Sequence, residues 1–174
     1  MSAAVGRDAA VGRDAAASRS LSIGQLVAEH PLFAGLHTGI AELVGGCSQN
    51  VSVAAGRLLL VEGEPARTLY LLRRGRVALE IHEPGREPLV VEVLGPGQVV
   101  GWSWMFPPYR WHFDARAAEP VGAIAVDAAC LREKAEADPA FGYELMRRLS
   151  AVMLDRLQAT RLRLLDVYGH GAIR

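Results

Sequence analysis

The chain is poor in cysteine, lysine and aromatic residues, and it carries no net charge. Its two cysteines, Cys47 and Cys130, stand far apart, and the five histidines are scattered. Neither a Cys-x-x-Cys pair nor a mixed Cys/His cluster is present to hold zinc or an iron–sulfur centre. Lys134 is the one lysine among 19 basic residues, and 19 acidic residues balance them. A nucleic-acid binder draws much of its affinity from displacing counterions and so gathers basic charge on one face. No such excess exists here, and direct DNA binding is not expected. No apolar run reaches the roughly 20 residues that span a bilayer. The first residues also lack the basic-then-apolar order of a signal peptide. The expected compartment is therefore the cytoplasm, without membrane association. Catalytic signatures are missing as well: no Gly-x-Ser-x-Gly elbow, no Gly-rich phosphate loop ending in Gly-Lys, no His-Glu-x-x-His. The paired acids Glu62/Glu64 and Glu133/Glu136 sit in charged surroundings and read as solvated faces. No catalytic residue and no metal ligand is assigned.

What is present is a chain of 174 residues, 51% hydrophobic, enough for one domain with a real core. Ala4–Ala9 and Ala10–Ala15 are tandem copies of Ala-Val-Gly-Arg-Asp-Ala. Two six-residue copies cannot build a solenoid, and residues 1–19 read as a disordered tail. The domain is expected over 20–168, with 169–174 as a short tail. Ser20 or Ser22 can cap a helix running to about Glu29; Pro31 follows, and a second short helix covers roughly Thr38 to Val44.

Period-two and short apolar segments then dominate, bounded by turn residues. Strands are expected near Gln49–Ala54, Arg57–Glu62, Thr68–Arg73, Arg76–His82, Leu89–Leu94, Gln98–Val100, Phe113–Ala117 and Val121–Val126. Eight short strands at this spacing predict a mainly β fold, an eight-stranded jelly-roll β-roll over about 47–126. After Val126 the period changes. Asp127 can cap a short helix ending near Ala137, and Asp138-Pro139 opens a long helix over about 139–168, aspartate at the cap and proline at the first helical position. Leu145, Leu149, Met153, Leu157, Thr160, Leu164 and Tyr168 fall on one stripe of that helix. It is longer than one small roll needs, so homodimerisation through Leu145, Leu149, Met153 and Leu157 is expected. Leu154 and Leu165 lie off the stripe and are expected to face the roll.

Three motifs carry a family resemblance. The first is Gly63-Glu-Pro-Ala66 followed by Leu69-Tyr-Leu-Leu72 and Gly75; the second is Leu94-Gly-Pro-Gly-Gln-Val-Val-Gly101. The third lies on the long helix, Arg148-Leu-Ser-Ala151 and Arg156-Leu-Gln158 with Thr160. In these motifs, and in its order of elements over most of 21–168, the chain resembles the cyclic-nucleotide-binding domain family of the Crp/Fnr-like kind. That resemblance implies a ligand cassette after Gly101, a long helix at a dimer interface, and Thr160 placed to contact a purine.

The family cassette carries a glutamate for the ribose and an Arg-(Ser/Thr)-Ala whose arginine pairs with the cyclic phosphate. Here Trp102 stands at the glutamate position. The arginine position falls on Trp111 or His112, depending on which end is counted from, and Arg110 is the nearest basic residue. Asp114 with Arg116 reads as a strand-face ion pair. The candidate ligand-binding residues are thus Gly101, Trp102, Ser103, Arg110, Trp111, His112 and Thr160, for a cyclic nucleotide or another small anion.

The reading is a stand-alone regulatory roll, without an output domain of its own, that signals through its dimer helix to an unidentified effector protein. Two alternatives stay open. Trp102, Trp104, Met105, Phe106 and Phe113 can plug the pocket and leave an interaction scaffold. A redox or gas sensor could instead hold a cofactor through cysteine or histidine.

Overall fold

The computed structural model of the chain describes residues 21–169, without the side chains of Thr38 and 166–169. The N-terminal repeat, the expected tail disorder, Ser20 and the side chain of Tyr168 lie outside the described residues. Helix α1 spans Ile23–Glu29 and α2 spans Thr38–Gly45. Ser22 caps α1 in a capping box: its hydroxyl accepts from the Gln25 amide, and the Gln25 side chain accepts from the Ser22 amide.

Eight strands follow: β1 Ser48–Val53, β2 Leu58–Leu60, β3 Thr68–Arg74, β4 Val77–Ile81, β5 Leu89–Leu94, β6 Val99–Val100, β7 Asp114–Ala117 and β8 Val121–Asp127. They form two antiparallel four-stranded sheets, ordered β1-β8-β3-β6 and β2-β7-β4-β5. Val121 to Val126 are all buried. A strand enclosed on both faces needs such a continuous apolar run. One face of β8 lines the roll interior, and the other is covered by α1 and by α3, Ala128–Ala137. Asp127 caps α3 through the Cys130 amide at 2.7 Å. Asp138 then caps the long helix α4, Pro139–Gly169, by accepting from the Ala140 and Phe141 amides at 3.1 Å each.

Helix α4 corrects the face assignment that its periodicity suggests. Leu145 and Leu149 are buried in the chain's own core together with Phe141, so neither is free to meet a second copy. Leu154 and Leu165, expected against the roll, are instead 52% and 67% exposed. The periodicity is real, but a stripe alone does not say which neighbour covers it. Glu144 pairs with Arg147 and Arg148, which hold its carboxyl down at about 2. Arg148 also donates to the Leu32 and Ala34 carbonyls, tying α4 to the connection between α1 and α2.

Cys47 and Cys130 are joined in a disulfide, Cα–Cα 5.7 Å, that links the residue before β1 to α3. While it stands, neither thiol is available to hold a cofactor. The Asp114–Arg116 pair is also re-partnered. Arg116 Nε lies 3.0 Å from Glu80, whereas Asp114 accepts from the Glu62 amide at 2.6 Å and sits 3.3 Å from His82 Nδ1. Both carboxylates are buried, so each is matched to a donor on a neighbouring segment.

His30, at the end of α1, is buried; its Nδ1 accepts from the Leu32 amide at 3.3 Å and its Nε2 has no hydrogen-bond partner. Burial drives its pKa from 6.5 to about 4, against a smaller opposing effect from the Gln98 backbone. A histidine depressed in the folded state binds its proton more readily when unfolded, so its stabilising effect is intact above pH 6.5 and is lost as pH falls toward 4. Stability should drop by about 2 kcal/mol between pH 7 and pH 5 on that shift alone. Urea unfolding of the wild type and of His30→Gln checks this. An acid limb equally steep in the variant would show that His30 does not carry it.

Candidate functional site

A cavity of about 610 Å³ lies between the roll and α4, within the size range of small-ligand sites. Leu60, Leu79, Ile81, Val91 and Glu92 form its roll side. The connection from β6 to β7 contributes Gly101, Trp102, Ser103, Trp111, His112 and Phe113, and α4 contributes Met153, Arg156, Leu157 and Thr160. Six of the seven sequence candidates therefore meet here: Gly101, Trp102, Ser103, Trp111, His112 and Thr160. The aromatics do not close the space. Trp104 is buried, while Phe106 and Phe113 are partly solvent-exposed.

Arg110 is the exception. Residues 109–111 run antiparallel to the turn at 63–66: the Ala66 amide donates to the Tyr109 carbonyl at 2.7 Å, and the Trp111 amide to the Glu64 carbonyl at 3.0 Å. In extended backbone neighbouring side chains point to opposite sides. Trp111 goes in, so Arg110 goes out, where its guanidinium donates to the Gly63 carbonyl at 2.6 Å. The anion contact expected of Arg110 is thus absent from this arrangement.

Gly101 is required by both its conformation and its surroundings. Its φ is +88°, and a Cβ there would lie 2.9 Å from Trp111 Cη2 and 3.0 Å from the Thr68 carbonyl oxygen. Trp102 and the 3-10 turn Ser103–Met105 follow. Arg132 of α3 donates to the Trp104 carbonyl at 2.8 Å and lies over the Tyr109 ring, 5.2 Å from its centroid. The site loop is therefore clamped to the helix that leads into α4.

The polar groups of the cavity are mostly spent on one another. Ser103 Oγ and His112 Nδ1 form a hydrogen-bonded pair at 3.1 Å. The Thr160 hydroxyl donates to the Arg156 carbonyl within α4, 2.8 Å away. Arg156 differs: it is 9% exposed, it donates to the Val99 carbonyl, and Trp102 covers its guanidinium with the ring centroid at 4.4 Å. Its Nε has no hydrogen-bond partner, Glu92 Oε2 being 4.0 Å away. Burial lowers the Arg156 pKa and Glu92 partly offsets this.

Arg156 and Glu92 are not among the sequence candidates. Arg156 stands one helical turn before Thr160, so i, i+4 spacing from that candidate could have found it. Glu92, the one acidic residue in the apolar run Leu89–Leu94, was the other available signal. Among the described residues there is no group of three or more His, Cys, Asp and Glu that could hold a metal ion. No described helix is long and apolar enough to cross a membrane.

The family model described as the cyclic nucleotide-binding domain matches residues 50–138. A CRP-like cAMP-activated global transcriptional regulator of Mycobacterium tuberculosis is 27% identical over 144 residues, 82% of this chain. The chain spans 62% of that relative's length. Among solved structures, a putative cyclic nucleotide-binding protein from Geobacter metallireducens matches with a TM-score of 0.69 and 29% identity, over 79% of this chain and 99% of that one. The Thermus thermophilus catabolite activator protein shares the fold, with a TM-score of 0.63 and 24% identity over 80% of this chain and 63% of its own.

Proposed function

We propose that this chain, which belongs to the cyclic nucleotide-binding domain family, is a ligand-sensing regulatory module that binds a small anion between its roll and α4. One observation carries the reading: the cavity is shared between the 101–113 connection and α4, so a ligand there touches both the roll and the helix. Occupancy then shifts α4 against the roll, with the Arg132 clamp on the loop as a second mechanical link. The role is binding rather than catalysis.

The partner side of the proposal rests on the apolar residues α4 leaves exposed. Met146, Leu154, Leu157, Leu164 and Leu165 are all between 43% and 67% exposed, more apolar surface than one helix ordinarily leaves to water. A second copy of the chain pairs along these residues, and the dimer presents α4 to an effector protein. Leu145 and Leu149 have no part in that interface.

Thermal melts with cyclic AMP, cyclic GMP and a panel of small organic anions test the ligand, and sedimentation tests the dimer. At least one anion should raise the melting temperature by several degrees at millimolar concentration, and the mass should be twice 18.7 kDa. Absence of any shift across the panel would overturn the sensor, and a monomer at tens of micromolar would overturn the dimer.

A further inference from the structure

We infer that the ligand is an aromatic monocarboxylate whose ring lies in the cavity and whose carboxylate pairs with Arg156. This rests on the sensor reading above and narrows it. The walls formed by Leu60, Leu79, Ile81, Val91, Met153 and Leu157 are apolar. They suit a flat apolar body. Trp102 lines the same cavity, and its indole N–H can donate a hydrogen bond but accepts none.

Arg156 is the group left waiting. Its planar guanidinium is already oriented, with the Val99 carbonyl on one side and the Trp102 ring across one face. The Nε–H remains unused although the residue is nine-tenths buried. A buried guanidinium with an unpaired N–H suits a carboxylate oxygen. Glu92 lies 4.0 Å from Arg156 and 3.9 Å from the half-exposed Arg163, so its carboxylate is shared between two guanidiniums rather than bonded to Arg156.

Naphthalene-2-carboxylate is the probe, followed by tryptophan fluorescence and calorimetry on the full chain. Its neutral carboxamide and cyclic AMP serve as comparisons. The carboxylate should bind at least tenfold more tightly than the carboxamide. Arg156→Gln should remove most of that difference. Arg156→Lys, which keeps the charge but not the planar fork, should recover only part of it, and melting curves confirm that both variants are folded. Equal binding of acid and amide, or unchanged acid binding in Arg156→Gln, overturns the inference. If cyclic AMP binds and the carboxylate does not, this inference falls while the sensor reading stands. If no probe binds and the broader anion panel is also silent, both fall.

Discussion

Reduction of the Cys47–Cys130 disulfide is expected to lower the unfolding free energy by about 4 kcal/mol. The bond closes a loop with a sequence separation of 83 residues, and loop-closure entropy for that length amounts to roughly 4.5 kcal/mol at 25 °C. For a chain of this size the loss corresponds to a melting temperature about 10–15 °C lower. The effect has a direction in the fold as well. The bond holds the start of β1 to α3, and α3 carries the Arg132 that grips the site loop. Urea unfolding with and without a reducing thiol, and of the Cys47→Ala/Cys130→Ala double variant, measures it. A difference under about 1 kcal/mol, or two titratable thiols in the native oxidised protein, would show that the bond contributes nothing to the fold.

Gly101→Ala should cost about 2–5 kcal/mol and disturb the cavity. An L-residue in the left-handed region costs roughly 1–2 kcal/mol, and Gly101 has φ +88°. The added methyl would meet the buried Trp111 ring at 2.9 Å and the Thr68 carbonyl oxygen at 3.0 Å. The ring can yield only by disturbing a core packed near crystal density, which costs about 1–3 kcal/mol more. Trp111 and Gly101 both line the cavity, so ligand affinity should fall together with stability. Chemical denaturation and the melt panel measure the two effects. A variant as stable as the wild type would mean that Gly101 is not held in this conformation.

Local chemistry makes most of the fold legible. The apolar runs of β3 and β8 and the turns around Gly63, Gly75 and Gly97 place the expected strands within one or two residues of those observed. Asp127 and Asp138 mark the starts of α3 and α4 through cap chemistry alone. The site is partly legible, because the stretch after Gly101 has to enter the roll and does bring Trp102, Ser103, Trp111 and His112 to one cavity. The same stretch misleads at Arg110. Its outward direction is set by pairing of 109–111 with 63–66, a contact nearly 50 residues away in sequence.

Periodicity, capping and turn residues are properties of a few neighbouring residues, so the sequence by itself determined the element order, the eight-stranded roll and the long final helix. Three matters were decided only in the tertiary structure, because each depends on distant segments meeting. The register of β1 on β8 pairs Ser48 with Val126 and so brings Cys47 beside Cys130. The surface of the roll decided that Leu145 and Leu149 are core while Leu154 and Leu165 face solvent. The packing of α4 across the open side of the roll buried Arg156 under Trp102 with one N–H unused, and that placed a charge where the sequence had shown only a helix residue.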